Sequence, residues 1–488
     1  MALMFRECPL HWPTKNIIAM RILPFLFSIL LGAACSAQVL LSDSLLLTYT
    51  AEELMDLGVG NATNGVELHR IIYATEDVFG QPTIASGAIA LPLGDCSYPL
   101  AAYMHGTVLE REGVPSRQSG EAIVGYFLAG TGYVAVLPDY LGLGDGPGPH
   151  PYVHARSEAT ASIDMLRAAR EFCAARSVDL NGQLFLIGYS QGGHACMATH
   201  RMIEAEYSDE FTVTASAPCS GPYDVSGVQA QVMVATVPYP APYYLPYILF
   251  SYGYVYPGLY DAVGDVIEEP WATLLPPLFQ GNNGSGAVDA VMPEVPSVIL
   301  VDSVLEAFSS DPDHYFRVAL RDNDVYDWVP QAPVRMVYCE SDSHVFYQNS
   351  IVCRDTMIAN GATNVQAVSA GATFDHGDCA FPALLGSKIW FDSQKLPCAP
   401  QGVAELDAPR WRVVPNPVQD RARVSVDGYA DGPLSWTLHL ADGRMVAAGQ
   451  LVLQGGSAEI LFPGTGMGPC FLQLRTERGI EVVRLVQE

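Results

Sequence analysis

Short apolar runs alternate with amphipathic stretches between His69 and Ser220. Ile71-Ile72-Tyr73, Gly87-Ala88-Ile89-Ala90-Leu91, Leu100 to Met104, Tyr133 to Leu137 and Leu184 to Ile187 have the length and composition of buried strands, whereas Glu121 to Leu128 and Ala159 to Ala175 follow a helical period. Strand alternating with helix predicts a largely parallel sheet covered on both faces.

From about Val225 to Pro330 this rhythm breaks, and the chain becomes rich in tyrosine and proline, as in Tyr239-Pro240-Ala241-Pro242-Tyr243-Tyr244. Buried strands do not tolerate that proline density, so an inserted helical cap is expected here. The strand pattern returns at Val334 to Cys339 and near Val365 to Val368, with helices expected at Val345 to Ala359 and Ala380 to Phe391.

Beyond Pro397 the composition changes. Ala422, Val424 and Val426 alternate with Arg421, Arg423 and Ser425, and Trp436, Leu438 and Leu440 repeat the alternation before an Asp442-Gly443 turn. Ala458, Ile460 and Phe462 repeat it again before a glycine-rich turn, which predicts a small C-terminal β-sandwich over 411–488 after a linker at 401–410.

The 488 residues carry 52 acidic against 25 basic side chains, a formal net charge of -27, which argues against nucleic acid or an anionic membrane surface as a partner. Near the start, Arg21 precedes the apolar run Ile22 to Ala34 and the small residues of Cys35-Ser36-Ala37-Gln38, which reads as a signal peptide over 1–37 cut before Gln38. Acylation of Cys35 is the alternative reading of the same segment. Export permits disulfides, and the eight cysteines between Cys96 and Cys398 allow many pairings among which sequence cannot choose.

Candidate chemistry centres on Gly188-Tyr189-Ser190-Gln191-Gly192-Gly193, which lies between the strand Leu184 to Ile187 and the helical stretch His194 to Glu206. A serine on so sharp a strand-turn-helix connection projects its hydroxyl from the sheet edge, and Gly188 and Gly192 keep the neighbouring backbone from clashing. That hydroxyl needs a base and an orienting carboxylate, expected in the order Ser, acid, His. His376, in Asp375-His376-Gly377-Asp378, is the base expected in a loop before the last helix, and Asp342 just past a strand is the acid, with Glu340 as its rival. The oxyanion donors are expected to be the Gln191 amide and the Thr107 amide in His105-Gly106-Thr107, where Gly106 admits close backbone approach. His105 is expected to hold that loop, and His194 and His344 are read as structural. The glycines and carboxylates from Pro138 to Gly146 are read as a turn beside the site, not a calcium loop.

Taken together, Tyr103-Met104-His105-Gly106-Thr107, Pro138-Asp139-Tyr140-Leu141-Gly142-Leu143-Gly144, the Ser190 motif, Asp342 with Val345, and His376-Gly377 make the chain from about His69 to Phe391 resemble the α/β-hydrolases, in particular their secretory lipase and esterase branch. The resemblance implies an eight-stranded core within a domain over 38–400, a lid, and a Ser190-Asp342-His376 triad. A carboxylic ester hydrolase of small-molecule or lipid esters is the expected activity; a secreted serine peptidase of the same fold and a catalytically silent binding protein are the alternatives. No metal and no organic cofactor is required by such chemistry.

The C-terminal segment resembles the sorting domain of the type IX secretion system, through Val414-Pro415-Asn416-Pro417, Asp442-Gly443-Arg444 and Gly468-Pro469-Cys470-Phe471-Leu472. This implies the secretion machinery as a partner and a secreted or cell-surface location. A carbohydrate- or protein-binding β module is the alternative.

Overall fold

The computed structural model describes residues 38–398, 411–426, 432–440, 444–462, 468–476 and 479–487. The expected signal peptide, the linker, and the turns at Asp442-Gly443 and after Phe462 lie outside the described residues.

Nine strands form one sheet: β1 (Leu40–Tyr49), β2 (Gly65–Glu76), β3 (Pro82–Leu93), β4 (Tyr98–Met104), β5 (Val134–Pro138), β6 (Leu180–Tyr189), β7 (Val213–Cys219), β8 (Val334–Cys339) and β9 (Val365–Gly371). Their order is β1-β2-β3-β5-β4-β6-β7-β8-β9. The pairings β1/β2, β2/β3 and β3/β5 are antiparallel, and every pairing from β5 onward is parallel. This is an α/β-hydrolase sheet, with one strand more than the eight expected. The extra strand is β1, whose Ser42, Asp43 and Ser44 interrupt the apolar pattern and stand exposed on the sheet edge.

The two faces of the sheet follow from the period-2 alternation of the central strands. Leu100 and Ala102 of β4 and Leu184 and Leu186 of β6 pack with Ile163, Leu166 and Phe172 of the helix Ala155–Ala175. Their neighbours Ala101, Tyr103, Phe185 and Ile187 point the other way, against Leu128 of the helix Ala122–Ala129 and Phe391 of the helix His376–Asp392. Buried on both sides, β4 and β5 have no exposed residue, as expected of strands inside a parallel sheet.

The cap enters between β7 and β8. It is helical, with its longest helices at Tyr244–Val255, Asp302–Ser310 and Tyr315–Arg321, and it has its own apolar cluster that includes Leu245, Ile248, Ile267, Phe308 and Leu320. Hydroxyl donors of the helix Tyr244–Val255 fasten it to core carbonyls: Tyr247 to Val108 at 2.9 Å, Ser251 to Tyr152 at 3.1 Å and Tyr252 to Val153 at 3.0 Å.

At the C-terminal end, Trp411–Val414, Arg421–Val426 and Ser457–Leu461 form a three-stranded antiparallel sheet, and Met445–Leu453, Gly432–Leu440, Gly468–Thr476 and Gly479–Gln487 form a four-stranded one. Ala422, Val424, Val426, Trp436, Leu438, Ile460 and Phe462 are buried in the cluster the two sheets share, so the side chains expected to face inward do so.

Candidate active site

β6 delivers Ser190 to the carboxyl edge of the sheet, where the chain turns at once into the helix Gln191–Glu206. Ser190 has φ 60° and ψ -123°, a conformation that L residues avoid and that only a tightly determined turn holds. The glycines are dictated by contact distance. A Cβ on Gly188 would stand 2.0 Å from the Gly192 carbonyl oxygen, and one on Gly192 would stand 1.9 Å from that of Met104. A Cβ on Gly193 would stand 2.4 Å from the Cys219 carbonyl oxygen.

His376 Nε2 lies 2.8 Å from Ser190 Oγ, and His376 Nδ1 lies 2.7 Å from Asp342 Oδ2. The other Asp342 oxygen accepts from the amides of His344 at 3.0 Å and Val345 at 2.9 Å, which fixes the carboxylate plane. All three side chains are buried. Glu340, the rival acid, is exposed. His376 opens the last helix instead of preceding it. Asp375 caps that helix by accepting from the Asp378 amide at 2.9 Å, so it starts four residues before the expected Ala380.

The donors expected for an oxyanion flank the serine. Gln191 is the first residue of its helix, whose leading amides have no partner within the helix. Gly106, between His105 and Thr107, comes close enough that its Cβ would lie 3.8 Å from Ser190 Cβ. His105 is fully buried, its ring nitrogens 2.7 Å from the Gly106 carbonyl and 3.3 Å from that of Asp139. Asp139, also buried, accepts from Ser86 Oγ at 2.6 Å and the Ser116 amide at 3.1 Å, so the segment after β5 is a packed turn beside the site. Burial raises its carboxyl above the ordinary range.

Of the groups that support the site, Gln229 and Glu158 carried no signal in the sequence, whereas His344 and His194 were read as structural. His344 stacks on His376 with ring centroids 4.9 Å apart, and its carbonyl accepts from two cap residues, Tyr239 Oη at 2.6 Å and Gln229 Nε2 at 3.1 Å. Burial, and then the neighbouring His376, push His344 below the ordinary histidine value. Beneath the elbow, Glu158 Oε1 accepts from Gln191 Nε2 at 2.8 Å and Glu158 Oε2 meets His194 Nδ1 at 2.7 Å. His194, read as structural, thus sits in a polar network that also reaches the Asn323 carbonyl at 2.8 Å. The cavity beside Ser190 is small, about 20 Å³, and is walled by Tyr152, Val153, Met233, Tyr244, Ile248 and Val345 among others.

Residues 118–234, which include the serine turn, match the family model described as secretory lipase. The rice cell wall degrading esterase LipA from Xanthomonas oryzae is 32% identical, over 73% of this chain and 99% of its own, with a TM-score of 0.66. The chain belongs to the secretory lipase family. It is a hydrolase of the esterase and lipase type. Within similar range is a protein described as a hydrolase from Legionella pneumophila, 28% identical over 73% of this chain and 98% of its own, TM-score 0.67. Lipase A of Candida antarctica in its closed state, 16% identical over 76% of this chain and 87% of its own, shares the fold at a TM-score of 0.56. No curated protein matches the sequence. Membership of a secretory family agrees with the disulfides Cys96–Cys398 and Cys339–Cys379, bonds that persist in oxidising surroundings outside the cell.

Proposed function

We propose that this secretory lipase family member cleaves carboxylic esters through an acyl-enzyme on Ser190, with His376 as base and Asp342 as its orienting acid. The observation that carries the reading is the pair of contacts on one imidazole, 2.8 Å to Ser190 Oγ and 2.7 Å to Asp342 Oδ2. With Nδ1–H donated to the carboxylate, Nε2 is left to accept the serine proton.

As Oγ bonds to the ester carbon, the carbonyl electron pair moves to oxygen and is met by the Gln191 and Thr107 amides. Collapse expels the alkoxide, which takes the proton from His376 Nε2, and a water activated by the same nitrogen then releases the acid and restores Ser190. Gly188, Gly192 and Gly106 serve this chemistry by letting backbone approach the reacting atoms, and His105 by holding the oxyanion loop.

Hydrolysis of p-nitrophenyl esters by the purified protein, beside Ser190→Ala and a panel of peptides, tests the reading. Ester turnover should fall by about 10⁴-fold or more in the variant. Turnover that survives in Ser190→Ala, or cleavage of peptides alone, overturns it.

The reading extends to the ends of the chain. Residues 1–37 would direct export and 411–488 would serve as a sorting domain recognised by the type IX secretion machinery, which the Val414-Pro415-Asn416-Pro417 segment and the seven-stranded sandwich support. Deleting 411–488 should leave the enzyme inside the cells that otherwise export it; normal export of the truncated chain overturns this part.

A further inference from the structure

Thr107, whose amide is read as an oxyanion donor, sits in a segment with little structure of its own. Past β4 the chain from His105 to Leu109 is neither strand nor helix, and among the described residues the amides of Gly106, Thr107 and Val108 donate to no backbone carbonyl. That leaves the Thr107 N–H available for a substrate oxygen, yet a donor is effective only if it is fixed before the charge appears. The restraint has to come from outside the segment.

Three tyrosine hydroxyls supply it. Tyr140 donates to the His105 carbonyl at 3.1 Å, Tyr152 Oη lies 3.0 Å from Thr107 Oγ1, and Tyr247 donates to the Val108 carbonyl at 2.9 Å. These contacts bracket the Gly106–Thr107 peptide, which carries the donor N–H. Tyr140 and Tyr152 belong to the core, but Tyr247 comes from the cap helix Tyr244–Val255. The buried rings of Tyr152 and Tyr247 lie parallel, with centroids 4.2 Å apart and planes within 4°. Ser251, one turn further along the same helix, donates to the Tyr152 carbonyl at 3.1 Å, so the cap holds Tyr152 by its ring and by its backbone.

We propose that Tyr247 and Tyr152 are positioning residues that hold the Thr107 amide on the oxyanion, so that the docked cap completes the catalytic geometry as well as walling the cavity; this rests on the acyl-transfer reading. Both act through the loop and take no part in making or breaking bonds. Loss of either hydroxyl lets the Gly106–Thr107 peptide swing, which weakens its hold on the charged tetrahedral oxygen more than on the planar ester.

The test is Tyr247→Phe and Tyr152→Phe, which keep the stacked rings, assayed on p-nitrophenyl acetate with active sites counted by a fluorophosphonate so that only folded enzyme enters kcat. Each should lower kcat about tenfold with little change in KM, a smaller loss than the roughly 10²-fold that follows removal of a donor itself. Thr107→Val, which removes Oγ1 and leaves the amide, should match Tyr152→Phe; the two combined should cost no more than either alone, and Thr107→Ser should keep the activity. Affinity for a boronic acid, which forms a tetrahedral adduct on Ser190, should fall in step with kcat. Tyr252→Phe is the control, because it removes another hydroxyl bond of the same helix, 3.0 Å to the Val153 carbonyl and away from the loop, and it should leave kcat unchanged. An unchanged kcat per titrated site in either Tyr247→Phe or Tyr152→Phe overturns the proposal. So does an equal loss in Tyr252→Phe, which would assign the effect to cap docking at large. If Ser190→Ala retains turnover, the acyl-transfer reading falls and this role with it; if Ser190→Ala is inactive while the tyrosine variants keep kcat, this role alone falls.

Discussion

A disulfide joins Cys339, three residues before Asp342, to Cys379, three residues after His376. The bond therefore ties the strand end that carries Asp342 to the helix turn that carries His376, and both sulfurs are buried beside Tyr189. It closes a loop of 40 residues, so its loss frees the unfolded chain by about 4 kcal/mol in the chain-entropy view. The Cys339→Ala, Cys379→Ala double variant should unfold at lower urea by roughly that amount and show a reduced kcat at temperatures where it remains folded. A variant with unchanged stability and kcat would remove the tether from the account of the site.

Glu158 gives its two oxygens to different duties. One accepts from the Gln191 side chain and the other meets His194, whose second nitrogen faces the Asn323 carbonyl. Both His194 nitrogens thus face oxygen atoms, and the Glu158–His194 pair is sealed from water. Removing one member of such a pair costs about 3 kcal/mol or more. Glu158→Gln should show that loss in urea unfolding, together with a lower kcat as the Gln191 turn loosens. A change below about 1 kcal/mol would mean the pair contributes little.

How far the site was legible follows from the kind of constraint each residue obeys. Ser190 could be placed because its glycine spacing is a local steric requirement, and the distances to Gly192 and Met104 carbonyls show how little room there is for another residue. His376 and Asp342 could be placed by their order after strands. The start of the last helix was displaced because a single side chain, Asp375, caps it ahead of the apolar pattern, and Pro382 within it conceals the period. Tyr247 could not be singled out, since the cap has many tyrosines and their roles depend on how the inserted helix docks on Val108, Tyr152 and Val153. The cysteine pairing was beyond reach for the same reason: Cys96 and Cys398 meet across 302 residues.

His150 offers a pH test. It is buried between Leu141 and Gln191: Nδ1–H donates to the Leu141 carbonyl at 2.8 Å and Nε2 accepts from Gln191 Nε2 at 2.9 Å, an arrangement that requires the neutral ring. Burial pushes its value down to about 4. The unfolded chain binds the proton first as pH falls, so this histidine's contribution is present above about 6.5 and is lost toward pH 4, at up to about 1.4 kcal/mol per unit. Other buried groups oppose it, Asp324 among them, which burial raises to about 6. The informative quantity is therefore the stability of the wild type minus that of His150→Gln. That difference should shrink between pH 6.5 and 4, and a flat difference would assign the neutral ring no energetic role.

The cavity beside Ser190, at about 20 Å³, holds little more than a water molecule and is closed by Met233, Tyr244 and Ile248 from the cap side. Two larger cavities, of about 500 and 520 Å³, lie elsewhere, one against Arg111, Tyr247 and Phe279 and the other against Val237 and Phe346, and Ser190 lines neither. Because the hydroxyls of Tyr247, Ser251 and Tyr252 bolt the cap helix to core carbonyls, widening the space by swinging that helix would break three hydrogen bonds, at about 1 kcal/mol each. Acetyl and butyryl groups should therefore be accepted well ahead of palmitoyl, read as kcat/KM on p-nitrophenyl esters. Trimming the wall by Met233→Ala or Ile248→Ala removes methylenes that a longer chain can replace, at about 0.8 kcal/mol for each one buried, so each variant should move the preferred chain upward by several carbons. If palmitoyl is already the best substrate of the wild type, the cap helix must open during turnover despite its bonds to Val108, Tyr152 and Val153.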